Sequence, residues 1–202
     1  MATDPDRFQG LSYYKYHTNN VIYNRLVRSF KNDMKELLNS IVFKRVLEAG
    51  CGEGKITDHI NTCYPQLELL EGFDINSDLI QTTQDLLTNI SFKVASIYEP
   101  PYPPDSFDLV VCCEVLEHLE KPEIALNQIF NISSKYILLS VPNEPIWSIA
   151  NMIRGKYIKS FGNTPGHINR WSVNSFLTLV EDYGHIIGIR KPFPWTMVLL
   201  EK

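Results

Sequence analysis

Short apolar runs alternate with amphipathic stretches between residues 42 and 141 of this 202-residue chain. The apolar runs have the length of strands, and the amphipathic stretches have the periodicity of helices. The repeated strand–helix units predict an α/β fold, with a parallel sheet, right-handed crossovers and helices on both faces. The predicted strands are Val42–Glu48, Leu67–Asp74, Ser91–Ser96, Phe107–Cys113 and Tyr136–Val141, and the predicted helices are Lys55–Thr62, Ser77–Leu87 and Pro122–Ile132.

The pattern changes near the end of the chain. A helix is predicted over Ser172–Tyr183, with Ser172 as its N-cap. Two apolar runs follow, Ile186–Arg190 and Thr196–Leu200, and only a short connection joins them. That connection is too short for a crossover between parallel strands, so these two strands are predicted to pair antiparallel.

Composition and charge fit one soluble globular domain. Hydrophobic residues make up 44% of the chain and charged residues 21%, and the net charge of −4 argues against a dedicated nucleic-acid binder. No apolar run is long enough to span a bilayer, and the polar residues 1–7 lack a signal-peptide core, which predicts a cytoplasmic protein. The cysteines have no metal-site or disulfide spacing and are predicted to be reduced, buried thiols: Cys51, Cys63, Cys112 and Cys113.

The first strand ends in an acid and runs into three glycines at alternate positions. Glu48 is followed by Gly50, Gly52 and Gly54. Glycine suits a turn where a ligand approaches the backbone, because it has no Cβ and tolerates a positive φ. The spacing differs from the G-x-G-x-x-G loop that binds dinucleotides. An acid before the first glycine favours a ligand with a cationic amino group over a pyrophosphate.

The second predicted strand also ends in an acid, Asp74, which lies 20 residues after Gly54. A Rossmann-like unit places a carboxylate at this position, where it binds the two ribose hydroxyls of a nucleotide. Together, the glycine turn and Asp74 predict a nucleoside-containing ligand with a positive charge.

Four motifs in order resemble those of the class I S-adenosylmethionine-dependent methyltransferases. They span residues 46–119, and the similarity is greatest to the small-molecule branch that includes the ubiquinone-pathway enzymes. The resemblance implies a Rossmann-like, seven-stranded, mostly parallel sheet whose last strand is antiparallel. The motifs are Glu48-Ala-Gly-Cys-Gly-Glu-Gly54, Gly72-Phe-Asp74, Pro103-Pro-Asp-Ser-Phe-Asp-Leu-Val110 and Glu114-Val-Leu-Glu-His-Leu119.

The resemblance also implies that residues 1–202 form a single domain made of four consecutive parts. Residues 1–41 are expected to form an N-terminal helical cap, with a helix over Val21–Leu38, and residues 42–141 the cofactor-binding core. Residues 142–171 are expected to form a lid that contacts the acceptor, followed by the helix and antiparallel strand pair of 172–202.

The cofactor implied by the resemblance is S-adenosylmethionine, with S-adenosylhomocysteine as product. Glu48 is expected to bind its amino group, the three glycines to pack along its methionine and ribose parts, and Asp74 to accept hydrogen bonds from both ribose hydroxyls. The further expected cofactor contacts are Cys51, Ile75, Ser96, Ile97, Cys113 and Glu114.

The motif Glu114, Glu117 and His118 has the spacing i, i+3, i+4, so the three side chains share one face if Glu114 opens a helical turn. In some relatives, among them ubiquinone-pathway and small-RNA 2′-O-methyltransferases, this set holds a divalent metal, and His167 would then be a fourth ligand. In other relatives the same residues act without metal, and we expect no metal here. His118 and His167 are the candidate general bases, which only a hydroxyl or protonated amine acceptor requires.

The predicted lid indicates the type of acceptor. Residues 145–180 contain no Asp or Glu, whereas basic and aromatic residues are interleaved there. This favours an aromatic or anionic small molecule. The candidate acceptor contacts are Tyr14, Tyr16, Trp147, Arg154, Arg170 and Trp171.

The predicted function is therefore methyl transfer to an oxygen or nitrogen of a small molecule by a monomer or homodimer. One alternative is a metal-assisted O-methyltransferase acting on a quinone-type or RNA hydroxyl; another is a cofactor-binding scaffold without turnover. A nicotinamide-dependent oxidoreductase is disfavoured by the glycine spacing. No nucleic-acid partner is expected, because the Asn/Asp-Pro-Pro-aromatic motif is missing after the fourth strand.

Many relatives carry an Asp at the end of the third strand that binds adenine, where this chain has Ser96. A serine hydroxyl brings no charge, so adenine would be bound mainly by backbone groups of residues 96 and 97. We therefore expect Ser96→Ala to weaken S-adenosylmethionine binding by about 1 kcal/mol or less, and Asp74→Ala by about 1.5–3 kcal/mol or more. Calorimetric titration measures both, and the reverse order would contradict this placement.

Overall fold

The computed structural model describes residues 21–153, 155 and 157–202, apart from the side chain of residue 159. Its strands form a seven-stranded sheet in the order β3-β2-β1-β4-β5-β7-β6. Only β7 runs antiparallel to its neighbours β5 and β6, which confirms the predicted architecture. The strands are β1 Arg45–Ala49, β2 Leu69–Asp74, β3 Ser91–Val94, β4 Phe107–Cys113, β5 Ser133–Pro142, β6 His185–Arg190 and β7 Trp195–Glu201.

Helices cover both faces of this sheet. The predicted N-cap Ser172 is confirmed, since its side chain accepts a hydrogen bond from the Ser175 N–H. Asn76 caps another helix, where its side chain accepts hydrogen bonds from two backbone N–H groups. No helix in the described ranges is long and apolar enough to cross a membrane. The helices are α1 Val21–Leu38, α2 Lys55–Cys63, α3 Ser77–Leu86, α4 Pro122–Ile132, α5 Ile146–Ile153 and α6 Val173–Glu181, with short 3-10 turns at Leu116–His118 and Ile158–Ser160.

Strand β4 shows how the two core layers are built. Val110 and Cys112 pack on one face of the sheet with residues of α4 and α6. Leu109, Val111 and Cys113 pack on the other face with residues of α1 and α2. Both layers are apolar because the strand is covered on both sides, as its sequence predicts.

Some strand boundaries differ from the prediction. Strand β1 begins at Arg45 because the Asp108 carboxylate accepts hydrogen bonds from the N–H groups of Lys44 and Arg45, and Val42 remains 82% exposed. Strand β3 ends at Val94, and β5 extends over Ser133–Pro142. At its two added ends, Ser133 pairs with Phe107 of β4 and Pro142 pairs with Trp195 of β7.

Candidate active site

The turn after β1 is fixed to the end of β2. The N–H groups of Gly50 and Cys51 both donate to the carbonyl oxygen of Phe73, at 2.8 and 2.9 Å. Gly50 has a φ of 76°, and a Cβ there would lie 2.5 Å from a methyl carbon of Val115. Both its conformation and its packing therefore require glycine.

The Asp74 carboxylate lies against this turn. It accepts hydrogen bonds from the N–H groups of Gly52 and Asn76, each at 2.9 Å. A carboxylate oxygen has more than one acceptor site, so these bonds orient the group and leave capacity for ligand hydroxyls. Gly52 has a φ of 50°, and an added Cβ would meet nothing within 4 Å, so the space above this residue is open.

Glu48 lies beneath the turn and is 3% exposed. The Thr57 hydroxyl of helix α2 donates a hydrogen bond to its carboxyl group. Burial raises the pKa of Glu48 to about 8, since removal from water disfavours the charged form. A cationic ligand group beside Glu48 would reverse this effect by stabilising the carboxylate.

A cavity of about 100 Å³ opens between these groups. Its lining includes Phe30 of α1, which sequence reasoning missed because nothing local marks that residue as facing the glycine turn. Burial raises the pKa of the Cys51 and Cys113 thiols, so both line the cavity as neutral groups. The other lining residues are Glu48, Gly50, Gly52, Glu53, Lys55, Ile56 and Glu114. A larger cavity of about 340 Å³ lies at the opposite end of the strands, where Leu69 and Ser91 begin β2 and β3.

The residues expected near adenine lie at the ends of β2 and β3. Ile75 directly follows Asp74 and is 75% exposed, so its side chain is available to an aromatic ring. Ser96 accepts a hydrogen bond from the Tyr98 N–H at 3.2 Å. The Ile97 side chain is buried in the core, which leaves its backbone for ligand contact.

The expectation that Glu114 shares a helical face with Glu117 and His118 is wrong. Glu114 has a φ of 59°, and the turn that follows is a 3-10 helix beginning at Leu116. The Glu114 carboxylate accepts hydrogen bonds from the Ser140 hydroxyl at 3.1 Å and from the Trp195 indole at 2.6 Å. Glu114 therefore faces the β5 and β7 side of the cavity and does not join the other two residues.

His167 instead completes a cluster with Glu117 and His118, whose ligand atoms lie within 4.8 Å of one another. The two imidazoles contact edge to face at 4.9 Å between centroids. His118 Nδ1 lies 3.0 Å from the carbonyl oxygen of Gly166. Because a carbonyl only accepts, Nδ1 carries a proton in this contact, and Nε2 lies 3.9 Å from a carboxylate oxygen of Glu117. One carboxylate and two imidazoles also suit a divalent transition metal.

Backbone and side-chain bonds hold the predicted lid to this cluster. The Asn169 amide donates to the carbonyl oxygens of Leu116 and Leu119, at 3.1 and 2.6 Å. The N–H groups of Ile168 and Asn169 donate to the carbonyl oxygen of Glu117. The 3-10 turn and the lid are thus one connected unit.

The candidate acceptor contacts do not all lie together. Trp147 stacks on His167, with 5.9 Å between ring centroids, and is next to the cluster. Trp171 packs on Phe176 of the core, and Arg170 is exposed. The remaining candidates, Tyr14, Tyr16 and Arg154, lie outside the described residues.

Comparison with known proteins decides the family. Residues 22–185 match the family model described as "Methyltransferase domain". The chain belongs to this family. This methyltransferase domain is of the class I, S-adenosylmethionine-dependent type.

Relatives of this methyltransferase domain differ in their acceptors. An uncharacterized methyltransferase of Schizosaccharomyces pombe is 31% identical over 100 residues, 44% of this chain and 36% of that protein. The mouse (Mus musculus) small RNA 2′-O-methyltransferase is 26% identical over 127 residues, 54% of this chain and 32% of that protein. The chain thus matches only about a third of the length of these relatives.

A solved structure has the same fold. Magnesium protoporphyrin IX methyltransferase of Synechocystis, crystallised with bound S-adenosylhomocysteine, superposes with a TM-score of 0.70 at 15% identity, over 98% of this chain and 93% of that one. The shared fold is therefore compatible with very different acceptors.

Glu48 of this methyltransferase domain is expected to release a proton when S-adenosylmethionine binds. At pH 7, below its pKa of about 8, the free protein holds Glu48 mostly protonated. Binding of the ammonium group of S-adenosylmethionine favours the carboxylate, so we expect release of a substantial fraction of one proton. Calorimetric titration in buffers of different ionisation enthalpy measures this number.

Matched amide variants of Glu48 and Asp74 separate the contributions of the two acids to proton release and to binding. Glu48→Gln should abolish proton release, whereas Asp74→Asn should weaken binding and reduce proton release only in part, because burial is the larger cause of the raised pKa of Glu48 and the Asp74 charge a smaller one. Proton release that survives in Glu48→Gln would show that another group titrates.

Proposed function

We propose that the protein transfers the methyl group of S-adenosylmethionine to an oxygen or nitrogen of a small-molecule acceptor and releases S-adenosylhomocysteine. The observation that carries this proposal is the meeting of Glu48, the glycine turn and Asp74 at one edge of the sheet. Glu117 and His118 follow strand β4 in the chain and meet His167 of the lid, and this cluster would supply groups for the acceptor.

The donor makes few demands on the protein. The methyl group is bound to a positively charged sulfur, which leaves as a neutral thioether, so no acid is needed for the leaving group. Catalysis then consists of holding the acceptor atom in line with the methyl, at about 3 Å, and excluding water. This agrees with a site whose two lining thiols, Cys51 and Cys113, are neutral.

His118 is the proposed general base for a hydroxyl or ammonium acceptor. Its Nδ1 proton is held by the Gly166 carbonyl, so its Nε2 is the atom that would take the acceptor proton. His167 contacts the same imidazole and would orient it or the acceptor.

The surroundings of this cluster favour an aromatic or anionic acceptor. The Trp147 indole lies beside His167 and offers a flat surface to a ring. Arg170 is exposed in a segment that contains no acidic residue between 145 and 180, so the segment itself adds no carboxylate that would repel an anionic acceptor group. A small, cytoplasmic metabolite fits these features best.

A second candidate is metal-assisted methylation of a hydroxyl. Glu117, His118 and His167 would hold the ion, which would lower the pKa of a bound hydroxyl. A nucleic-acid acceptor of the kind named for the mouse relative is disfavoured by the net charge of −4.

Turnover of S-adenosylmethionine with a metabolite extract tests the proposal, with S-adenosylhomocysteine formation as the readout. We expect His118→Ala to lower kcat by about 100-fold or more without weakening S-adenosylmethionine binding. Arg154→Ala and Arg170→Ala should raise the acceptor KM while Lys191→Ala, at an exposed cation outside the lid, should not.

The outcomes separate the candidates. Loss of activity on chelation, restored by Mn²⁺, would favour the metal-assisted reaction. S-adenosylmethionine binding without turnover on any extract would favour a scaffold. Unchanged KM values in both arginine variants would remove the anionic acceptor from the proposal.

A further inference from the structure

Helix α5 of the lid buries its polar residues and exposes its aliphatic ones, which is the reverse of an ordinary surface helix. It buries the polar residues Ser148 and Asn151, which are 6% and 2% exposed. Its aliphatic residues face outward, with Ile149 47% and Ile153 81% exposed. Surface helices normally bury their apolar face, so this orientation leaves an apolar surface without cover in the described part of the chain.

The polar inner face fixes this orientation. The Asn151 amide donates to the carbonyl oxygen of Gly162 at 2.8 Å and to the Thr164 hydroxyl at 3.2 Å. The Trp147 indole donates to the same hydroxyl at 2.8 Å. A Cβ at Gly162 would lie 2.0 Å from the backbone oxygen of Ser148, so helix and loop are in direct contact. Turning the aliphatic face inward would break these bonds and leave buried polar groups unpaired.

Exposed apolar residues also follow the helix in the chain. Ile158, Phe161 and Ile168 are 63%, 78% and 59% exposed. We call these three residues, together with Ile149 and Ile153, the lid apolar surface, because all five are exposed within one segment of the chain. Isolated exposed aliphatic residues are normal, but a concentration of them in one segment marks an interaction site.

The charge of the same segment indicates the partner. Residues 145–180 carry four basic residues and no acidic one, although the chain as a whole has a net charge of −4. A partner that is apolar inside and negatively charged at its surface complements both properties. The exposed side chains are mostly aliphatic, which fits hydrocarbon better than the stacking surfaces by which proteins bind single-stranded nucleic acids.

We propose that the lid apolar surface docks on an anionic lipid bilayer, with α5 lying in the interface. Eight residues are too few to span a bilayer, so the attachment is peripheral and reversible. The site of methyl transfer would then lie next to the membrane surface. This inference does not depend on the acceptor or on turnover.

Sedimentation with lipid vesicles tests the proposal on the full chain. We expect binding to vesicles that contain phosphatidylglycerol, weaker binding to phosphatidylcholine alone, and a loss of binding as NaCl is raised. Ile149→Ser combined with Ile153→Ser should weaken binding by about tenfold or more, because it removes exposed apolar groups that would enter the bilayer.

A matched double variant provides the control. Val42→Ser combined with Leu86→Ser changes two residues that are 82% and 70% exposed outside the lid and should leave vesicle binding unchanged. Both double variants should keep the wild-type Tm and S-adenosylmethionine affinity, which shows that they fold.

Three results would overturn the proposal. The first is that the wild-type protein does not sediment with phosphatidylglycerol vesicles. The second is that both double variants lose vesicle binding equally. The third is that the protein is a dimer, that only the lid double variant is monomeric, and that neither form binds vesicles. Retention of an RNA oligonucleotide in place of vesicles would likewise reject it.

Discussion

Three backbone N–H groups hold the turn after β1 against the end of β2. Gly50 and Cys51 donate to the Phe73 carbonyl, and Gly52 donates to the Asp74 carboxylate. Every other feature of the cofactor site depends on this attachment. It brings the two strand-end acids, Glu48 and Asp74, to opposite sides of one glycine turn. A Cβ at Gly50 would lie 2.5 Å from a methyl carbon of Val115, so this close approach requires glycine at that position.

The same turn also sets the direction of helix α2. Gly54 ends the turn with a φ of 68°, and a Cβ there would lie 2.6 Å from a methyl carbon of Thr83 in α3. The Thr83 hydroxyl in turn donates to the carbonyl oxygen of Gly52 at 3.1 Å. The turn therefore fixes helices α2 and α3 and strands β1 and β2 relative to one another. We expect the ligand site to be rigid because these four elements hold it.

Local features explain what could be predicted. The glycine turn, Asp74 and the limits of β4 are marked by residue type and periodicity within a few positions, and all were anticipated from sequence. Phe30 was missed because its place beside the turn results from the packing of α1. Glu114 was assigned the wrong neighbours because Trp195, which lies 81 residues away, binds its carboxylate. Helical spacing says nothing about a partner from a distant strand.

Aromatic contacts connect the two halves of the site. Trp195 packs on Phe30 at 5.2 Å and lies 6.0 Å from Trp147, which stacks on His167. Contacting aromatic rings thus connect Phe30, which lines the cofactor cavity, with His167 of the histidine cluster. These contacts relate the place proposed for the acceptor to the place proposed for the methyl donor.

The central claim is that the glycine turn with its two acids binds S-adenosylmethionine. A crystal structure of the full chain with S-adenosylhomocysteine tests it most directly. The ribose hydroxyls should then lie within hydrogen-bond distance of the Asp74 carboxylate, with the amino group on the Glu48 side of the turn and the adenine against Ile75. A ligand bound away from the turn, or a turn that moves apart from Phe73 to admit it, would contradict the claim.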